Sequence, residues 1–211
     1  MSYSQKVHHD ISSAIKNQLL ETDQQRVSFK YKPTINNRLS KRQKSTRRRN
    51  MLSFYEKYYL PLILDTRFYF KFNNEIGISI HVRNGFIGNG EVIPSIKGYK
   101  SIQLSKEEAA SDPSCIMLYT TEIKDDSDFK QKRNEIQHYK LLGSLSFLNH
   151  ACLNCVTAVP YDLDSTEDKE YCDLSMIKSI PKDEQVTISY GNFKTKREIP
   201  YPCIKCKQFV I

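Results

Sequence analysis

At 211 residues, with 39% hydrophobic and 27% charged positions, the chain is long enough for one substantial core and holds no apolar run near the ~18 residues of a membrane-spanning helix. Its net charge of +8 is uneven: Lys41, Arg42, Lys44, Arg47, Arg48 and Arg49 supply six of the eight charges with no acid among them, leaving two for the rest. That excludes a uniformly basic protein and describes a near-neutral domain with one basic block, a composition suited to nuclear import or nucleic-acid contact.

The opening residues, Met-Ser-Tyr-Ser-Gln-Lys, lack the apolar stretch of a secretory signal. The six cysteines (Cys115, Cys152, Cys155, Cys172, Cys203, Cys206) are therefore expected as thiols rather than disulfides. Their close pairing at 152/155 and 203/206 suggests metal ligation.

In chain order, residues 1–24 read as a polar helix with Ile11, Ala14, Ile15 and Leu19 on one face and Asp10 as a candidate N-cap. Residues 25–50 are polar and basic and are expected to be loosely ordered. Over 51–63, Met51, Tyr55, Tyr58 and Tyr59 share a helical face, and Pro61 should end or kink that helix. From residue 76 the period becomes two: Ile76, Ile78, Ile80 and Val82 alternate with Gly77, Ser79 and His81, as in a half-buried strand. Gly85, Gly88 and Gly90 make a glycine-rich turn. Residues 91–93 and 100–104 read as short strands, 105–113 as a polar connection and 115–119 as a buried strand. The charged stretch 121–137 predicts a solvent-facing excursion, and 161–170 an acidic loop between strands. Many short strands with long irregular connections predict a mainly β fold with peripheral helices.

Four pieces carry candidate chemistry. Gly88-Asn89-Gly90 lets backbone pass close to a ligand or simply turns the chain, and it lacks the third glycine and following helix of a dinucleotide fingerprint. Asn149-His150 follows the apolar run Leu141, Leu142, Leu145, Phe147 and Leu148. A carboxamide and an imidazole at the end of a core segment need partners, from a ligand or from crossing backbone. His150 with Cys152 makes a poor nucleophilic pair, because residues two apart on extended chain share a face without approaching. Cys203-x-x-Cys206 is half of a tetrahedral zinc site, with Cys152 and Cys155 the leading candidates for the other half. Tyr190 ends the strand Val186-Thr187-Ile188-Ser189-Tyr190.

In this order the pieces resemble the SET-domain protein lysine methyltransferases. The family's opening Gly-x-Gly is Gly88-Asn89-Gly90, and its Phe-x-Asn-His-x-Cys segment is Phe147-Leu148-Asn149-His150-Ala151-Cys152. Its Ile-x-x-x-Glu turn runs from Ile180 to Glu184, its strand ending in a catalytic tyrosine reaches Tyr190, and its post-SET cysteines are Cys203 and Cys206. The resemblance covers roughly residues 76–207 and is strongest to the branch that methylates lysine 20 of histone H4. It implies a SET-domain β-clip with a pseudoknot over 76–192, an N-terminal helical and basic extension over 1–75, and a short post-SET zinc-binding tail over 193–211. It implies S-adenosylmethionine bound by Gly88, Gly90, Phe147, Asn149, His150 and Tyr190, with Tyr190 catalytic, and zinc on Cys152, Cys155, Cys203 and Cys206. The implied substrate is a histone tail or nucleosome in the nucleus; beside the resemblance, the basic block Lys41–Arg49 suits a contact to DNA or to the acidic face of a nucleosome, and no membrane is expected.

Three departures bear on this. The family's Cys-x-Pro-Asn is shortened to Cys152-Leu153-Asn154, the glycine before the turn's glutamate is Asp183, and the first cysteine of Cys-x-Cys-x-x-Cys is Tyr201. Cys155 or Cys172 must then complete the metal site. The competing readings are a catalytically weak chromatin-binding module, a methyltransferase for a non-histone lysine, and a zinc-stabilised nucleic-acid-binding protein.

Overall fold

A computed structural model describes residues 2–21, 27–104, 117–121, 135–152, 154–161, 173–189 and 203–206. Helix α1 spans Tyr3–Glu21 and buries Val7, Ile11 and Ile15 at four-residue spacing. Its start is set by Ser2, not Asp10. Ser2 Oγ accepts from the Gln5 backbone N–H at 3.2 Å while Gln5 Oε1 accepts from the Ser2 N–H at 2.8 Å, a reciprocal capping box. Asp10 lies inside the helix, paired with Lys6 at 3.3 Å and accepting from Tyr31 Oη at 3.1 Å.

The expectation of loose order fails over 41–50, which begins α2 (Lys41–Tyr58). A second capping box, Ser40 with Gln43, nucleates it, and Met51, Phe54, Tyr55 and Tyr58 anchor its C-terminal half in the core. The helix breaks at Tyr59, and Pro61 falls in the first turn of the short α3 (Leu60–Leu64), where a missing N–H costs nothing.

Strand β1 (Phe68–Asn73), which lies outside the predicted elements, pairs antiparallel with β2 (Gly77–Val82). Then follow β3 (Phe86–Ile87), β4 (Val92–Ile93), β5 (Tyr99–Leu104), β6 (Met117–Thr121) and β7 (Glu135–Leu142). A 3-10 turn at Ser144–Phe147 leads into β8 (Asn149–His150), followed by β9 (Ala158–Tyr161), β10 (Asp173–Met176), β11 (Ile180–Pro181) and β12 (Thr187–Ile188). The expected strand at 115–119 is β6, displaced toward the C-terminus, and Cys115 lies outside the described residues. Of the charged excursion, residues 135–137 belong to β7 and 122–134 lie outside the description, as do 105–116 and the acidic stretch 162–172 with Cys172.

The sheets run β1-β2, β5-β7-β6, β11-β3 and β4-β10-β9-β12-β8. In the last, β12 lies between β8 and β9 and is parallel to both, with Thr187 opposite Asn149 and Ile188 opposite both His150 and Ala158. A late strand thus enters the gap between two earlier ones, which only a loop around it can connect. One hydrophobic core runs from Val7, Ile11 and Ile15 through Met51 and Phe70 to Ile188. No helix among the described residues is long and apolar enough to cross a membrane.

Candidate functional site

The site is built from the turn before β8. Gly143 sits at φ 89°, ψ −178°, a region open to glycine alone, and an added Cβ would meet the Lys97 carbonyl oxygen at 2.5 Å. Its N–H donates to the buried Tyr59 hydroxyl at 2.9 Å, and Ser144 Oγ accepts from the Lys97 N–H at 2.8 Å. Burial drives the Tyr59 phenol far above its ordinary range, so it stays a neutral hydrogen-bonding group. Phe147 turns its ring into the core, stacked on His8 with centroids 5.9 Å apart and edge-on to Phe70 at 6.1 Å. This packing fixes where the chain emerges at Asn149.

Asn149 is half-buried and, among the described residues, makes one long side-chain hydrogen bond, Nδ2 to the Ile78 carbonyl at 3.4 Å. Its carbonyl oxygen and second N–H remain available to a zwitterionic or purine-bearing ligand. His150 is buried, and burial holds its imidazole below the ordinary histidine range. The Ala151 N–H donates to the Ile188 carbonyl at 3.0 Å, so β12 clasps this segment directly.

The glycine turn precedes β4, at the opposite edge of the same sheet from β8. Gly88 and Gly90 make no hydrogen bond to Asn149 or His150. Gly90 has φ 82°, its N–H donates to the Met176 carbonyl at 2.7 Å, and the Asn89 N–H donates to Ser179 Oγ at 3.3 Å. A Cβ at Gly90 would meet nothing within 4 Å, and one at Gly88 only the Phe86 ring at 4.0 Å, so this backbone is open to a ligand. The residues that hold it were not singled out by the sequence. Glu91 Oε2 accepts from the Gly88 N–H at 3.2 Å, Glu91 Oε1 pairs with Arg67 at 2.8 Å, and Arg67 pairs in turn with Asp65 at 2.6 Å. Burial alone would raise the Asp65 carboxyl, but the Arg67 and Ser95 hydrogen bonds outweigh it and hold it below the carboxylate range. The sequence signal was available, as a Glu one residue past Gly-x-Gly with a basic residue in the preceding segment, but only tertiary pairing gives it meaning.

The cysteines form the second half of the site. The Cys155 and Val156 N–H groups both donate to the Cys152 carbonyl at 2.8 Å, folding Cys155 back beside Cys152. The tail reaches the same place, with the Ile204 N–H on the His150 carbonyl at 3.4 Å and Lys205 on Glu184 at 3.1 Å. The four Sγ atoms of Cys152, Cys155, Cys203 and Cys206 lie within 4.8 Å of one another, with Cys152 and Cys206 3.7 Å apart. Four thiolates about 2.3 Å from a tetrahedral zinc are about 3.8 Å apart, so the spacing fits that ion; a disulfide would need about 2.05 Å. Burial opposes ionisation of Cys203, yet backbone N–H groups of Cys206, Cys152 and Lys205 bring it down to about 6, while hydrogen bonding to Cys152 and desolvation push Cys155 up to about 12. A dication held among the four sulfurs would favour their thiolate forms.

With a late strand between β8 and β9 and four thiols beside it, the comparison with known families is decisive: the SET domain family model matches residues 17–191. The chain belongs to the SET-domain family. A solved structure on the basis for the product specificity of histone lysine methyltransferases shares 17% identity, with 66% of this chain and 53% of that one covered and a TM-score of 0.40. A Plasmodium falciparum protein described by name as a candidate histone methyltransferase shares 18%, with 59% and 96% covered and a TM-score of 0.33. The SET-domain chain thus spans about half the length of the first of these. No curated protein matches it. The fold is mostly β with few helices, and its C-terminal cysteine cluster suits a post-SET tail.

Two departures from the SET pattern have a local explanation. Asp183, where the family has glycine, keeps the left-handed conformation at φ 66°. Aspartate tolerates that region better than most residues, and Tyr69 Oη donates to Asp183 Oδ1 at 3.0 Å. The shortened Cys152-Leu153-Asn154 brings Cys155 into the cluster. Tyr190 and Tyr201 lie outside the described residues.

Proposed function

We propose that this SET-domain protein is a lysine N-methyltransferase that uses S-adenosylmethionine, acts in the nucleus on a histone tail or nucleosome, and prefers lysine 20 of histone H4. The observation that supports this most is the parallel insertion of β12 between β8 and β9 within a chain matched by the family over 17–191. The proposed division is 1–75 for the extension, 76–192 for the catalytic domain and 193–211 for the tail.

S-adenosylmethionine, when bound, would supply a sulfonium methyl group to a neutral lysine amine, its thioether leaving with the C–S bonding pair. Asn149 would offer its amide groups to it and the open backbone at Gly88 and Gly90 close approach, while Phe147 by its ring packing and His150 by its pairing to β12 would hold the segment that carries Asn149. A free lysine has a pKa near ~10.4, so presenting its amine neutral at pH 7 costs about 4.6 kcal/mol. A desolvating channel lowers that cost, and the Tyr190 hydroxyl orients the amine. Alignment and electrostatics then carry the rate. Cys152, Cys155, Cys203 and Cys206 would hold a zinc ion, which would tie the tail to the segment after β8.

The test is radiolabelled S-adenosylmethionine with nucleosomes, free histones and non-histone protein. Transfer to histone H4 is expected, reduced about a hundredfold or more by Tyr190→Phe or Asn149→Ala. Labelling confined to non-histone protein would move the substrate assignment. The departures at Tyr201 and 152–154 favour a second reading, a weakly active chromatin-binding module, which predicts nucleosome binding without label.

A further inference from the structure

We propose that the N-terminal half of α2 is a sequence-independent docking element for duplex DNA. This deepens the chromatin reading above but does not depend on methyl transfer. The core stripe of α2 starts at Met51, and residues 41–50 bury no side chain; Lys44 and Arg47 are partly covered and the others exposed. None of the six cations in 41–49 makes an ion pair with a described residue. The first turn holds no acid, so Lys41 and Arg42 face the positive end of the helix dipole. Like charges also stand four apart at Lys44 and Arg48. The Ser40–Gln43 capping box nevertheless fixes this segment as helix. It is a rigid cationic rod whose charge is unmatched within the described molecule.

Charge density and direction choose the partner. Lys41 to Arg49 spans about 12 Å of helix axis, so the four cations that share one side fall one per ~3 Å, against one phosphate per ~3.4 Å along a single strand of the duplex. At about 100° per residue, Lys41, Lys44, Arg48 and Arg49 share one side with Ser45. Arg42, Gln43, Thr46, Arg47 and Asn50 fall on the other, where they line an open cleft with Ser2, Tyr3 and Leu39. Gln43 Oε1 is engaged by Ser40 in the helix cap, and the side of Lys41, Lys44, Arg48 and Arg49 offers cations for phosphates with no carboxamide among them to read base edges.

The experiment is fluorescence anisotropy of the full chain with labelled 20-base-pair duplexes, without S-adenosylmethionine, across 50–200 mM salt. Four to five phosphate contacts predict a slope of log affinity on log salt of about −3.6 to −4.5, a loss of roughly 150- to 500-fold over that range. Scrambled duplexes should bind within about twofold of one another. Lys41→Gln or Arg48→Gln should each lower the slope by about 0.9, and neutralising all six should abolish binding with circular dichroism unchanged. A slope shallower than about −2, affinity retained after neutralisation, or equal binding to polyglutamate, the mark of an acidic-protein partner, would overturn the proposal. Methylation of a free histone peptide in the same preparations reports on the enzyme reading separately, since Tyr190→Phe should leave DNA binding unchanged.

Discussion

Cys155 is where this chain makes its own solution. The family pattern supplies three tail cysteines, and here Tyr201 occupies the first place. The turn that returns the Cys155 N–H to the Cys152 carbonyl puts a fourth thiol beside the other three. We expect one zinc per chain by elemental analysis, lost in Cys155→Ser and retained in Cys172→Ser; retention in the first would show that another group completes the site. Gly143 makes a second residue-scale prediction. Alanine there meets backbone at 2.5 Å in a conformation that L residues avoid. Gly143→Ala should cost about 2 kcal/mol or more in urea unfolding, where an exposed glycine substitution costs little.

At the scale of elements, β2 joins its hairpin partner β1 to the segment that leads into β12. It pairs with β1 on one side, and on the other Val82 and Ile80 bond residues 183–186 just before β12. His81 joins that seam, with Nδ1 3.1 Å from the Asp183 carbonyl and Nε2 3.1 Å from Ser79 Oγ, under the Tyr69 ring. Burial chiefly lowers the His81 pKa; the Asp183 carbonyl raises it, Lys71 lowers it, and Glu184 and Asp183 oppose that by charge. The unfolded chain therefore takes up a proton at a higher pH than the fold does. The stability from neutral His81 is present above about pH 6.5 and lost as pH falls below it. The urea midpoint should drop between pH 7.5 and 5.5, and drop less in His81→Gln; an equal drop would remove His81 as a cause.

For the whole molecule, the question is whether residues 1–75 are an appendage. Val7, Ile11 and Ile15 are fully buried in the same core as Ile80 and Ile188. Three such side chains contribute about 5–9 kcal/mol, comparable to the total stability of a domain. A chain beginning at 76 should show no cooperative unfolding transition by circular dichroism, whereas neutralising 41–49 should leave the transition in place. A cooperative transition in the truncated chain would make the extension dispensable.

The sequence by itself determined the pieces whose signal is local. Ile11 and Ile15 set a helix face, Pro61 a helix break, and Ile80 and Val82 a strand, because periodicity and proline act within a few residues. It also carried the ordered motifs that mark the family. Tertiary structure alone decided the rest: that β12 lies between β8 and β9, and that Glu91 and Arg67 hold the glycine turn; that Cys155 joins Cys203 and Cys206 was expected from the paired spacing and is seen in the fold. It also decided that the basic block is helical, since a run of cations reads as solvated coil until the Ser40 cap and the Met51 anchor are both in place. These are pairings between residues far apart in the chain, and which distant partner satisfies a buried donor or a crowded thiol is settled only when the backbone closes around it.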